Sequence, residues 1–300
     1  MSKNYLRSFG ATVREIRTDL QLSQEKLGEA AGLDRTYISD IERGGRNVSL
    51  LNIVSLAKAL AKEPKDLLPR INELHQQEYW VNSNWSLESG FHVTSQNVLE
   101  ATLATNAILE ALPMNIYSTI DYKAQSGLIG AIYVLELANR VGAIPNPIEK
   151  GYPDIVPAEA IKFNESTLRN YPTGLEVKST FGNATTGADR TPGVARIESL
   201  ASITWQAHHS EGEQLMGITW DYVGGTQGHP APPSITGIFY AGNITVNDWG
   251  KISGTKGRNT KVTGMKTSGK KKMAEGCVII LNNDEYKKKI LSRLGKKLTK

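Results

Sequence analysis

Ser23-Gln24-Glu25-Lys26-Leu27-Gly28-Glu29-Ala30-Ala31-Gly32-Leu33-Asp34-Arg35-Thr36-Tyr37-Ile38-Ser39-Asp40-Ile41-Glu42-Arg43-Gly44 is the stretch on which the organisation of this chain turns. Ser23 stands where a helix N-cap belongs, since its hydroxyl can accept from a backbone N–H that the first turn leaves free. Glu25 adds a carboxylate at the positive end of the helix dipole. Leu27, Ala30 and Ala31 give a short helix its inward face. Gly32 ends it by taking the left-handed conformation of a tight turn, and Leu33 plugs the corner. Asp34 caps the next helix, which runs through Arg43 with Ile38 and Ile41 inward. Two short helices joined this way form a helix-turn-helix. Upstream, Leu6, Phe9, Val13, Ile16 and Leu20 recur at spacings of three or four and predict an amphipathic helix. Downstream, Gly44-Gly45 stops the third helix, Leu50 to Leu60 reads as a fourth, and Pro64 opens a fifth that ends near Leu68. Residues 1–72 are therefore expected to form an all-α domain of five helices.

The stretch from Ser23 to Gly44 resembles the phage-repressor Cro/C1 (XRE) family, and the resemblance extends over about the first seventy residues. In that family the third helix enters the major groove of DNA. The resemblance implies that Arg35, Thr36, Tyr37 and Ser39 face DNA, with Gln24 and Arg43 near phosphates. A bundle of this kind can also serve as a protein-interaction module.

The chain has 300 residues, 39% hydrophobic and 22% charged, which suits a globular protein of two domains. It has no run of about 18 apolar residues and no apolar stretch at its start, so a soluble, cytoplasmic protein is expected, with no membrane partner. One cysteine, Cys277, lies in the apolar run Cys277-Val278-Ile279-Ile280-Leu281; it can form neither an internal disulfide nor a cysteine-rich zinc site, and a packing role is expected. In a cytoplasmic protein the Asn-x-Ser/Thr triplets at Asn164, Asn183 and Asn243 carry no meaning for glycosylation. Charge is uneven. Residues 251–300 hold 15 Lys/Arg against 3 Asp/Glu, so with +5 overall the first 250 residues are net acidic. Within that segment, residues 251–272 combine cations with Gly, Ser, Thr and Asn and read as a mobile loop. Lys256, Arg258, Lys261, Lys266, Lys270, Lys271 and Lys272 are its candidate phosphate contacts, against the alternative of a solvated tail kept for solubility.

Residues 73–95, polar and aromatic, read as a connector, and residues 96–300 as a second domain. Val98 to Leu112 has helical spacing up to Pro113, and Gly127 to Val141 is an apolar helix whose charged residues are Glu136 and Arg140. Strand-like runs follow at Gly174–Ser179, Leu215–Val223, Ile235–Ala241 and Cys277–Leu281, with a helix expected from Val194 to His208. This mixture predicts an α/β or α+β domain with a central mixed sheet.

Inside it lie Tyr152-Pro153-Asp154-Ile155-Val156 and, after a spacer, Gly174-Leu175-Glu176-Val177-Lys178-Ser179. Alternation along a strand sends Glu176 and Lys178 to one face and Leu175 and Val177 to the other. If Asp154 reaches the same point, two carboxylates meet beside an ammonium, an arrangement suited to Mg2+ and to phosphodiester hydrolysis. The order and spacing resemble the PD-(D/E)xK signature of restriction endonucleases. The resemblance implies Asp154, Glu176 and the Val177 carbonyl as metal ligands, Lys178 as the catalytic lysine, and no small-molecule cofactor beyond the metal. Glu136 is a candidate further acid, with a helical ion pair to Arg140 as the equal alternative. Gln206 is a candidate supporting polar residue. His208-His209 could suggest a His-metal site, but a helix C-terminal pair fits the spacing better.

The expected function is a type II restriction endonuclease acting on specific double-stranded DNA as a homodimer. The alternatives are a transcriptional regulator with a dimerising or sensing C-terminal domain, and a repair or modification-dependent nuclease. The N-terminal domain either extends the cleavage site, the favoured expectation, or binds a separate operator.

Overall fold

The structure, a computed structural model, describes residues 2–68, 78–149, 151–185, 191–207, 214–252 and 262–296, apart from the side chains of residues 2–5 and 8. The chain divides into two compact units, Met1–Gln76 and Gln77–Lys300. Among the described residues no helix is long and apolar enough to cross a membrane.

The first unit contains α1 (Ser2–Asp19), α2 (Gln24–Ala31), α3 (Arg35–Glu42), α4 (Leu50–Ala59) and α5 (Pro64–Leu67). Its core gathers Phe9, Val13, Leu27, Ile38, Ile41, Leu56, Leu60 and Leu67, one stripe from each helix. Ser23 accepts from the Lys26 N–H, and Gly32 takes φ 66° and ψ 35°, as the turn requires. Asp34 occupies the N-cap position of α3 but makes no side-chain cap bond, unlike the sequence expectation.

The second unit runs β1 (Tyr79–Val81), β2 (Ser86–Glu88), β3 (His92–Thr94), α6 (Ser95–Ala111), α7 (Met114–Thr119), α8 (Tyr122–Val141), β4 (Ala143–Pro145), β5 (Ile155–Pro157), α9 (Glu165–Leu168) and β6 (Val177–Thr180). It continues with β7 (Asn183–Ala184), β8 (Leu200–Ser202), β9 (Gln206–Ala207), β10 (Leu215–Asp221), β11 (Ser234–Ala241), β12 (Thr263–Gly264), α10 (Thr267–Glu275), β13 (Cys277–Leu281) and α11 (Asp284–Arg293). Five strands form a mixed sheet in the order β1-β13-β11-β10-β6, with β6 parallel to β10 and the other pairs antiparallel. Both of its faces are covered. On one, Met216, Ile218 and Val278 pack with Val98, Ile129, Tyr133 and Leu137 of α6 and α8. On the other, Phe239 and Ile280 pack with Trp205, Met273, Tyr286 and Ile290. Burial on both sides explains why β13 is a continuous apolar run and why every residue of β10 is buried, Thr219 and Asp221 included.

Three expectations are corrected. Residues 73–95 do not all form a connector: Tyr79–Val81 adds an edge strand to the sheet, and β2 pairs with β3. The helix expected from Val194 to His208 is absent among its described residues. Ile203, Trp205 and Ala207 are buried at every second position, a strand period, and Trp205 donates Nε1–H to the Ile218 carbonyl at 3.1 Å. Further upstream, the Arg196 N–H and guanidinium are fixed on the buried Asp221 carboxylate. His208 and His209 lie outside the described residues. Finally, residues 267–275 form α10 rather than a loop, because Gly269, Met273 and Ala274 bury one face of a helix whose apolar members fall partly beyond residue 272.

Candidate active site and nucleic-acid interface

The β4–β5 hairpin brings Asp154, just before β5, to the entry of β6, where Ile155 and Leu175 bridge antiparallel. Gly174 permits the approach: a Cβ there would lie 2.2 Å from the Ile155 carbonyl oxygen, and its φ is 140°. β6 is an edge strand. The Glu176 carbonyl accepts from the Met216 N–H toward β10, so the Val177 N–H and carbonyl point to the free edge. There the Val177 N–H donates to Asp154 Oδ2 at 2.8 Å.

Lys178 Nζ donates to Asp154 Oδ2 at 3.2 Å, to the Val177 carbonyl at 3.2 Å, and pairs with Glu176 Oε1. Three oxygens thus converge on one ammonium. The other Glu176 oxygen, Oε2, is buried without a partner among the described residues. Burial pushes the Glu176 carboxyl up to about 7; Lys178 opposes the shift and Asp154 adds to it. For Lys178, burial works against the ammonium, but Glu176 and Asp154 outweigh it and the pKa is raised.

Lys178 lies across from Gly217, and a Cβ at Gly217 would meet Trp205 and Met273. Lys178 and, by alternation, Glu176 therefore share the sheet face away from α8, whose Tyr133 reaches Met216 on the opposite face. Glu136 lies on α8 and binds Arg140 Nη1 at 2.6 Å, and Arg140 lies 3.9 Å from Glu100. The ion-pair alternative therefore describes Glu136, which is not joined to the Asp154–Glu176 cluster. Gln206 is an exposed residue of β9, paired with Gly264 of β12, and not on a helix. Among the described residues no three His, Cys, Asp or Glu side chains group to hold a metal.

In the first unit, Arg35 and Thr36 are exposed at the start of α3, and Arg35 pairs with Glu25 at 2.7 Å. Tyr37 and Ser39 are half-buried, and the Tyr37 hydroxyl accepts from Asn52 Nδ2 at 3.0 Å. Arg43 binds Asp40 at 2.6 Å. Gln24, expected near phosphate, donates to Glu42 Oε2 at 2.8 Å in the DNA-free chain; Glu42 also holds Arg17 at 2.6 Å, tying α1, α2 and α3 together. Sequence reading missed this network because its members lie 18 and 25 positions apart. It also missed Arg46, which lies over the Tyr37 ring and binds Asp40, although the basic residue directly after Gly44-Gly45 was a signal. Of the basic candidates in the second unit, Lys256, Arg258 and Lys261 lie outside the described residues. Lys272 is held by Asp248 at 2.7 Å and by the Asn243 carbonyl at 2.7 Å, and Lys266 donates to the Asn247 carbonyl at 3.2 Å. Lys270 and Lys271 stand on α10.

The helix-turn-helix family profile matches residues 13–67. Control protein C.BamHI of Bacillus amyloliquefaciens is 56% identical over 69 residues, which are 23% of this chain and 85% of that protein. Control protein C.SmaI of Serratia marcescens is 50% identical over 58 residues, 19% of this chain and 69% of that protein. The crystal structure of the restriction-modification controller protein C.AhdI from Aeromonas hydrophila is 54% identical and covers 21% of this chain and 96% of its own, with a TM-score of 0.21. By its first unit, a DNA-binding helix-turn-helix, the chain belongs to the helix-turn-helix family that includes these control proteins.

Proposed function

We propose that the second unit is a Mg2+-dependent nuclease of the PD-(D/E)xK type, and that the whole chain is a type II restriction endonuclease acting on specific double-stranded DNA as a homodimer. The observation that carries this reading is the convergence of Asp154 Oδ2, Glu176 Oε1 and the Val177 carbonyl on Lys178 Nζ at the open edge of β6. The donor set fits the metal. Two carboxylates and a carbonyl are hard oxygen ligands, Glu176 Oε2 is buried with no partner among the described residues, and Mg2+ keeps several waters rather than demanding an all-protein cage. When bound, Mg2+ would polarise a phosphoryl oxygen and acidify a water. Asp154 and Glu176 would hold it. Lys178, already poised among these oxygens, would orient the attacking water and offset the negative charge that grows on phosphate as one P–O bond forms and another breaks.

A second reading has its own support: a regulator, in which Lys178 merely neutralises two carboxylates. Relatives matched by the first unit include control proteins and other helix-turn-helix transcriptional regulators. That similarity favours a separate operator as the target of the first unit, whichever reading holds for the second. Incubation of the full chain with unmethylated phage DNA and Mg2+ tests the choice. Discrete fragments support the endonuclease, and intact DNA together with tight operator binding supports the regulator.

A further inference from the structure

The lysines of the last three elements fall into two groups. Lys266 and Lys272 are bound within the fold, as are Lys287, on Asn282 Oδ1 at 2.6 Å, and Lys289, on the Glu198 carbonyl at 3.2 Å. Lys270, Lys271, Lys288 and Lys296 meet no carboxylate among the described residues. Of these, Lys271 and Lys296 come together beside the C-terminal end of α11, and Lys270 neighbours Lys271 along α10. The Lys271 stem runs beside Gly295, just past α11, where an added Cβ would lie 3.6 Å from Lys271 Cγ and 3.8 Å from its Cε. Lys296 follows and acts electrostatically on Cys277, which stands two residues beyond the end of α10. Lys270 precedes Lys271 and is half-buried; burial lowers its pKa, and no anion in the described fold offsets it.

We propose that this junction is a second contact for the DNA backbone, separate from the helix-turn-helix, in which Lys270, Lys271 and Lys296 bind phosphates of a duplex. Phosphate oxygens supply the acceptors that these ammonium groups lack, and neutralising them releases counterions. Its placement joins it to the candidate active site. Met273 of α10 lies against Gly217, the partner of Lys178, so α10 covers the sheet face that bears Glu176 and Lys178. A duplex held at the junction therefore lies on the side of the sheet where the nuclease reading places the scissile phosphate, and only this relation to the active site rests on that reading. The contacts read charge and spacing, not sequence.

The test uses the full chain, a random-sequence duplex and EDTA, so that no cleavage is read and failure of the nuclease reading leaves the result interpretable. Affinity is measured across salt concentrations for the wild type and for Lys270→Gln/Lys271→Gln/Lys296→Gln. A control, Lys123→Gln/Lys162→Gln/Arg169→Gln, removes the same charge from exposed positions elsewhere in the unit. The slope of log affinity against log salt should become shallower by about 0.9 for each phosphate no longer neutralised, hence by about two to three in the junction variant. The control should keep the wild-type slope. An unchanged slope in the junction variant, or an equal change in both, overturns the proposal.

Discussion

Replacing Glu176 by Gln should stabilise the second unit at high pH and leave it unchanged at low pH. The Glu176 carboxyl is buried beside Asp154, and its pKa rises from an ordinary 4.5 to about 7. Between those values the folded chain binds a proton that the unfolded chain has released, so stability falls as pH rises through that window. Above pH 7 the loss is complete, and the gap corresponds to about 3 kcal/mol as an upper figure. Glutamine keeps the shape and carries no charge, so the variant should gain about 1 to 3 kcal/mol at pH 8 and nothing near pH 4. The assay is urea denaturation followed by tryptophan fluorescence. All five tryptophans, at 80, 85, 205, 220 and 249, lie in the second unit, so the signal reports that unit alone. Saturating Mg2+ should stabilise the wild type and not the variant, because binding to the folded state adds to its stability. A variant less stable than the wild type at pH 8, or a gain that persists at pH 4, would refute the reasoning.

Other variants probe other links. Gly174→Ala places a Cβ on the Ile155 carbonyl at a φ that disfavours side chains, so it should pull Asp154 from the Val177 N–H and abolish cleavage while operator binding stays intact; wild-type cleavage would show that the approach is not needed. Glu42→Ala strips Arg17 and Gln24 of their shared partner and should cost the first unit about 3 kcal/mol, read from the decline of helical circular dichroism with urea. Arg35→Ala removes an exposed ion pair of little value to the fold but should weaken cognate DNA binding by about 1 to 3 kcal/mol, measured by anisotropy. Unchanged affinity would remove Arg35 from the interface.

Sequence carried the first unit well because each signal there was local: Ser23 at a cap, Gly32 at a left-handed turn, Ile38 and Ile41 at helical spacing. In the second unit the long periodic elements were equally readable: β10, β11 and β13 fall close to their expected bounds, and α8 ends where expected but starts at Tyr122 rather than Gly127. Elements fixed by tertiary contacts were not. Tyr79–Val81 is a strand because β13 offers it a partner, and three residues are too few to show a period. Arg196 and Trp205 are drawn into the core by Asp221 and the Ile218 carbonyl, which overrides a helix-like composition. The meeting of Asp154 with Glu176 and Lys178 was legible from motif order. The sidedness that separates Glu136 from them was not, since it depends on which sheet face α8 covers.

The most direct test of the central claim compares the wild type with Lys178→Ala on the same cognate duplex with Mg2+, measuring cleavage rate and affinity separately. The lysine serves charge that develops only as phosphate reacts, so the variant should bind within a few-fold of the wild type and cleave at least about a hundredfold more slowly. Equal cleavage by the variant, or no Mg2+-dependent cleavage by a wild type that binds its operator tightly, would contradict the account and leave a regulator in its place.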